Sequence, residues 1–519
     1  MMRMRMTEEK LAAVVRPTPG RTRAAFISLL TSYLGSSIVI IKSIVLVPLY
    51  LHTFGVDVYG AFLASANVVG LLGVVDFGVS AVLYQRLAAA WGARDLSAFT
   101  RMTGAAILVV PTLVATMVVA SVFLAPYVPG LVKAPEHAHA ALALTFVLTA
   151  AGAGGTLATA NMVAVASAWQ RAEIVSAARL GAQLVEIAVL VAGLVGGLGI
   201  VALGLASLVG GWTGLTIGAA WTAVTWHSMG LPRPQPSRAA ALDLARTVVP
   251  MMLSRIVLQI GSNLEVALIS RLVNPTMAAI YGITERIFRI AASFVTPIAG
   301  SVLSGLSHFV GERGICAVRK PVGDIFALLS LVVAATMPAL VALNRDFTAL
   351  WVGQENFGGA ALTVLLCAAG ILATRQFLLS VVLTASGAIA TVAWIGIFEM
   401  LLRVPLMYVA LRFVGVAGMP AASSVVSVLC LVIYARFVNR KLEIGGWDRW
   451  RFQFAGMLSV SVSFLIGVGE LFALPIAATW TSLVLKGALV GCVHLGIALL
   501  LNSSGRTVAL GRLASRWKH

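Results

Sequence analysis

Apolar runs separated by short polar breaks recur from residue 25 to residue 501. Nearly every run reaches the roughly 20 residues that a helix needs to cross a hydrocarbon core. The pattern predicts fourteen helices, near 25–51, 58–84, 99–125, 140–166, 173–197, 199–225, 244–271, 278–305, 321–343, 360–384, 390–412, 415–437, 454–474 and 478–501. The longest break between them, 227–243, is too short to fold into a catalytic domain. The expected class is therefore an all-α polytopic membrane protein.

That longest break contains LPRPQPSR at 231–238, whose prolines mark it as a linker between two six-helix halves. The halves repeat each other's punctuation. Tyr59-Gly60 in FGVDVYGAF lies 222 positions before Tyr281-Gly282 in NPTMAAIYGI, and Gly199 in GLGIVALGLAS lies 216 before Gly415 in FVGVAGMPAASS. Because six is even, both halves enter the membrane with the same orientation, and a pseudo-twofold axis along the membrane normal would relate them. Helices 13 and 14 stand outside the repeat as an appended pair. The expected divisions are a basic tail (1–23), an N-terminal lobe (24–226), a cytoplasmic linker (227–243), a C-terminal lobe (244–438), a cytoplasmic loop (439–453), the appended pair (454–501) and a second tail (502–519). Gly210, Gly214 and Gly218, spaced small-xxx-small, predict close helix packing.

Composition agrees, with 60% hydrophobic and 11% charged residues and a mean hydropathy of +0.97. The net charge of +18 suggests nucleic acid in a soluble protein, but in this chain it reports orientation. Twenty-six of the 37 Lys and Arg residues fall on one side, four fall near the other (Lys133, Arg271, Arg345 and Arg412), and seven lie within helices. By the positive-inside rule both termini are cytoplasmic, as in a multi-pass protein of the bacterial inner membrane. The first helix is too long for a signal-peptide core and lacks an A-x-A-like exit, so no cleavage is expected. Cys367, Cys430 and Cys492 fall in helices and read as packing residues, and Cys316 falls in a loop.

The seven intramembrane cations carry the functional argument. An ionisable side chain inside a bilayer costs at least roughly 2.5–3.5 kcal/mol, so it faces a bundle interior or a wet cavity. Arg255 lies about 16 Å along helix 7, near the midplane. With Gln259, Ser262 and Asn263 it forms a polar stripe at i, i+4, i+7 and i+8. Arg286 and Arg289 lie at similar depth in helix 8. Helix 1 repeats the pattern more softly, with Ser28, Ser32, Gly35 and Lys42 within about an 80° arc. Some cations have an obvious acid: Glu285 with Arg289 and Glu399 with Arg403 stand at i, i+4 in the favourable order. Lys486 is placed to snorkel outward. Five intramembrane acids, Asp76, Glu186, Glu265, Glu285 and Glu399, against seven cations leave at least two positive charges without an evident acid, and Arg255, Arg286, Arg375 and Lys42 are the candidates. Guanidinium forks suit phosphate, which points to a diphosphate cargo. Asp76, Glu186 and Glu265 are alternatively candidate proton or Na⁺ sites.

No cofactor is expected. The Glu136, His137 and His139 cluster lacks a third well-spaced metal ligand, and no Walker A, H-E-x-x-H or G-x-S-x-G sequence occurs.

The passage PLYLHTFGVDVYGAFLASANVVGLLGVVDFGVSAVLYQRLAA, with Asp76-Phe-Gly followed by Arg86, resembles the start of Wzx-type polysaccharide flippases of the multidrug/oligosaccharidyl-lipid/polysaccharide (MOP) superfamily. Glu265, Tyr281-Gly282 and GVAG at 415–418 extend the resemblance over about residues 24–440. It implies two lobes that alternate access and export an undecaprenyl-diphosphate-linked oligosaccharide, with membrane lipids and polysaccharide polymerase or export machinery as partners and no nucleic acid. Surface polysaccharides such as O-antigen or exopolysaccharide would be the product. An inside-negative potential favours outward movement of negative charge by about 2.3 kcal/mol per charge per 100 mV, so ATP is not required.

Three alternatives fit less well. Fourteen helices also resemble the lipid II flippase branch, where arginines within helices 1 and 2 are expected; here helix 1 offers only Lys42 and helix 2 has no cation before Arg86. A drug or cation antiporter of the superfamily would stop at twelve helices and carry key carboxylates in its first lobe. A membrane glycosyltransferase or polymerase needs catalytic acids near a substantial external loop, and only Glu136, Asp346 and Glu355 read as loop-borne.

Overall fold

In the computed structural model, residues 21–76, 79–169, 171–293, 315–445 and 456–508 are described. They are helical almost throughout, with no strand among them. The principal helices are α1 (Arg21–Leu72), α2 (Val79–Gly92), α3 (Leu96–Leu124), α4 (His139–Ala168), α5 (Ala172–Val195), α6 (Val201–Ser228) and α7 (Arg238–Leu272). They continue with α8 (described over 275–293), α9 (Arg319–Val352), α10 (Ala360–Ala385), α11 (Ile389–Val414), α12 (Gly418–Lys441), α13 (Met457–Ala473) and α14 (Trp480–Leu501). Among the described residues, ten helices are long and apolar enough to cross a membrane, and α13 is a shorter apolar helix. The chain divides into two compact units, Met1–Ala267 and Leu268–His519.

The first two expected helices meet inside the FGVDVYGAF passage, where the break narrows to a single residue: the chain stays helical from Arg21 to Leu72 except at Gly55 (φ 83°, ψ 165°). Tyr59, four residues on, lies within the helix and is buried at 2% exposure. The glycines paired by the repeat both have positive φ just before α6 and α12, Gly199 at 53° and Gly415 at 80°.

Within the first unit, α6 packs closely on α4 and α5. Gly210, Gly214 and Gly218 are buried, and a Cβ at any of them would press on Glu186, Ala182 or Ala178 of α5, or on Thr159 or Val163 of α4. Small residues therefore set the spacing of these helices. Trp91, Phe99, Trp169 and Trp226 form an aromatic cluster with centroid distances of 5.2–6.2 Å, joining the ends of α2, α3, α4 and α6. The proline-rich segment lies on this unit, with the Pro232 carbonyl accepting from Trp226 Nε1 at 3.1 Å.

In the second unit the core runs through α9, α10, α11 and α12, from Val322, Phe326 and Leu329 to Leu379, Ile395, Val426 and Tyr434. Bulky apolar side chains also point outward, among them Phe413 (85% exposed), Leu500 (75%) and Leu465 (70%). Acyl chains would cover such a surface.

Candidate functional site: the charges inside the helices

Lys42 has an acid partner, contrary to expectation. Its Nζ lies 2.5 Å from Glu186 Oε1, joining α1 to α5, and the side chains are 25% and 30% exposed. Gly210 of α6 also packs against the Glu186 side chain, where a Cβ would lie 2.7 Å from Glu186 Cβ. Asp76 accepts from the Ser80 backbone N–H at 3.2 Å and from its hydroxyl at 2.8 Å. Asn161 Nδ2 of α4 in turn donates to Ser80 Oγ at 3.0 Å, so Asp76 is tied through Ser80 of α2 to α4.

Arg255, Gln259 and Ser262 fall within α7, but their side chains lie outside the described residues. Asn263, at the end of the same stripe, packs its carboxamide against the backbone at Gly70 of α1, so closely that a Cβ there would collide with it. Glu265 is half-buried about two turns before the end of α7.

In the second unit, Arg286 is half-buried on α8. Arg289 is 57% exposed and pairs with Glu285 at 2.9 Å. Arg375 of α10 is buried and stacks its guanidinium over the Phe326 ring of α9, 4.0 Å from the centroid. Phe326 thus takes one face of this cation. Arg403 meets Glu399 at 2.6 Å, as the spacing predicts, and donates to Ser427 Oγ of α12 at 3.2 Å. Gln376 Nε2 of α10 donates to the second Glu399 oxygen, so the pair ties three helices together.

Sequence reasoning misplaces one acid and misses another. Asp346 does not sit in a loop: α9 continues to Val352, and Asp346 is 1% exposed with Oδ2 2.7 Å from Lys486 Nζ of α14. Lys486 also donates to the Pro475 carbonyl at 3.1 Å, so it turns inward and does not snorkel. Glu470 of α13 pairs with the fully buried His494 of α14 at 2.9 Å. Neither residue stands out in the sequence, because a lone His and a helix-end Glu carry no spacing signal. Among the described residues there is no group of three or more His, Cys, Asp or Glu side chains that could hold a metal ion.

A family described as polysaccharide biosynthesis protein matches residues 25–304, more than half of the chain. The chain belongs to the polysaccharide biosynthesis protein family. No curated protein sequence matches it. Solved structures share its fold at low identity. A lipid II flippase MurJ in an inward closed conformation has a TM-score of 0.65 and 12% identity, covering 92% of this chain and 99% of that one. An inward-facing multidrug resistance MATE family transporter of the MOP superfamily has a TM-score of 0.64 and 14% identity, covering 81% and 100%. A mutant of the Vibrio cholerae MATE transporter VcmN has a TM-score of 0.53 and 15% identity, covering 83% and 99%. The polysaccharide biosynthesis family and the MOP-superfamily fold both agree with the resemblance seen in the sequence.

Proposed function

We propose that this chain is a flippase that carries an undecaprenyl-diphosphate-linked oligosaccharide from the cytoplasmic to the periplasmic leaflet by alternating access, with both termini cytoplasmic in the bacterial inner membrane. The observation that carries the reading is the match of residues 25–304 to a polysaccharide biosynthesis family in a chain made of long apolar helices. Polysaccharide assembly on a lipid carrier needs such a step, because sugars attached on one side must reach the other. The fold is one that a lipid II flippase also uses.

In this reading Arg255 and Arg286 are the phosphate ligands, as forks set within apolar helices, and Gln259 and Asn263 contact sugar hydroxyls. Arg289 and Arg375 support them through Glu285 and the Phe326 ring. Lys42 enters through Glu186: a proton or Na⁺ arriving at this carboxylate would free the ammonium for cargo. Asp76 and Glu265 are the other candidate coupling sites. No covalent step is assigned to the protein.

Deleting the gene and locating the lipid-linked sugar tests the proposal. The expected result is accumulation in the cytoplasmic leaflet with loss of surface polysaccharide. Accumulation of the peptidoglycan precursor instead would decide for a lipid II flippase. Normal leaflet distribution of both would remove the flippase reading.

A further inference from the structure

We propose that His494 and Glu470 hold one proton between them where α9, α13 and α14 meet, which makes this junction of the appended helices a proton-binding site. The hydrogens at this junction can be counted outward from Pro338, inside α9. Proline has no N–H, so the Ala334 carbonyl four residues earlier loses its helical donor. Ser463 of α13 fills that place, its Oγ donating to Ala334 O at 2.7 Å. The approach is close because residue 467 is glycine: a Cβ there would lie 2.5 Å from the Pro338 carbonyl oxygen.

A serine hydroxyl has one hydrogen, and Ser463 spends it on Ala334. Its 2.6 Å contact with His494 Nδ1 is therefore an Nδ1–H donating to Oγ. A neutral imidazole with hydrogen on Nδ1 has a bare Nε2, and Nε2 lies 2.9 Å from Glu470 Oε2. A bare nitrogen against an ionised carboxylate would set acceptor against acceptor. One more hydrogen must sit between them, as imidazolium with carboxylate or as imidazole with carboxylic acid. His494 is fully buried and the Glu470 side chain is 16% exposed, so Glu470 is the side on which the proton enters and leaves.

No other charged group of the three helices competes for this place. On α14, Lys486 is taken by Asp346 of α9, and Cys492 is exposed. On α13, Glu470 is the one titratable residue. On α9, Arg319 is engaged by Glu443, and Lys320, Asp324 and Arg345 stand ten or more positions from Ala334, about 15 Å along the helix.

Loss of the proton has a structural result. The imidazole must move its remaining hydrogen to Nε2 to satisfy the carboxylate, which leaves Nδ1 bare. Ser463 then serves either His494 or Ala334, and one interhelix hydrogen bond breaks. Proton occupancy is thereby linked to the seating of α13 on α9.

The test uses the full chain with ¹⁵N-labelled histidine in lipid bilayers, comparing wild type with His494→Gln to assign the signal. The expected spectrum shows His494 protonated at Nδ1 at neutral pH. A neutral ring with hydrogen on Nε2 and a bare Nδ1 would overturn the proposal. A second measurement uses Glu470→Gln, whose amide can supply the hydrogen to Nε2 without titrating. The wild-type melting temperature should fall as the pH rises and the proton is lost, and Glu470→Gln should lose that fall while remaining folded. The same pH dependence in both proteins would also overturn it.

Discussion

Lys42 Nζ and Glu186 Oε1 lie 2.5 Å apart and join two helices 144 positions distant in sequence. Removing either partner leaves a half-buried charge. We expect Lys42→Ala and Glu186→Ala each to cost about 1–3 kcal/mol, between the surface and fully buried limits, and the double change to methionine to recover most of it. Thermal unfolding of the four proteins in one detergent measures this. A double-methionine protein no more stable than either single variant would show that the pair is not coupled.

The Asp346–Lys486 pair is drier, with side chains 2% and 12% exposed. Lys486→Ala should therefore destabilise by about 3–5 kcal/mol, and Lys486→Ala with Asp346→Ala should be less damaging than Lys486→Ala alone. Chemical denaturation read by α9 and α14 fluorescence labels decides it.

Alanine at Arg255 or Arg286 should weaken cargo handling by about 10- to 100-fold, the loss of one charge-assisted phosphate contact. The measurement is the rate of leaflet exchange of lipid-linked sugar in vesicles at matched protein level. Wild-type rates in both variants would remove these residues from the proposed site.

Asp95 caps the first turn of α3. Its Oδ1 accepts from the Ala98 N–H at 2.9 Å and from the Ser97 hydroxyl at 2.7 Å, and these bonds, the backbone one first, hold its carboxyl below the usual carboxylate range. A group lowered in the folded state contributes above its unfolded value and loses that contribution as the pH falls through the folded one. The protection of the Ala98 amide, its exchange rate relative to the intrinsic rate at the same pH, should fall in the wild type as the carboxyl takes up its proton on acidification and be low at every pH in Asp95→Ala.

Part of this arrangement is legible in the sequence. Glu285–Arg289 and Glu399–Arg403 can be read because an i, i+4 spacing places both groups on one helix face. Lys42–Glu186 and Glu470–His494 cannot, since each joins different helices and no local period links them. Asp346 escapes for a related reason: Arg345-Asp346 interrupts the apolar run while the backbone stays helical to Val352. Hydropathy marks where a chain is apolar, not where its hydrogen bonds stop. Arg375 stands out as an intramembrane cation, yet the Phe326 ring it covers belongs to another helix and gives no signal.

The Asp346–Lys486 contact also has a temporal side. The two residues are 140 positions apart, so at about 5–20 residues per second the ribosome delivers the lysine roughly 7–28 s after the aspartate. During that interval α9 enters the membrane carrying an acid whose cation has not yet been made. α14 therefore closes this part of the second unit. Chains truncated before Trp480 should linger with the insertion machinery or be degraded, even though every span of the matched family region is already present.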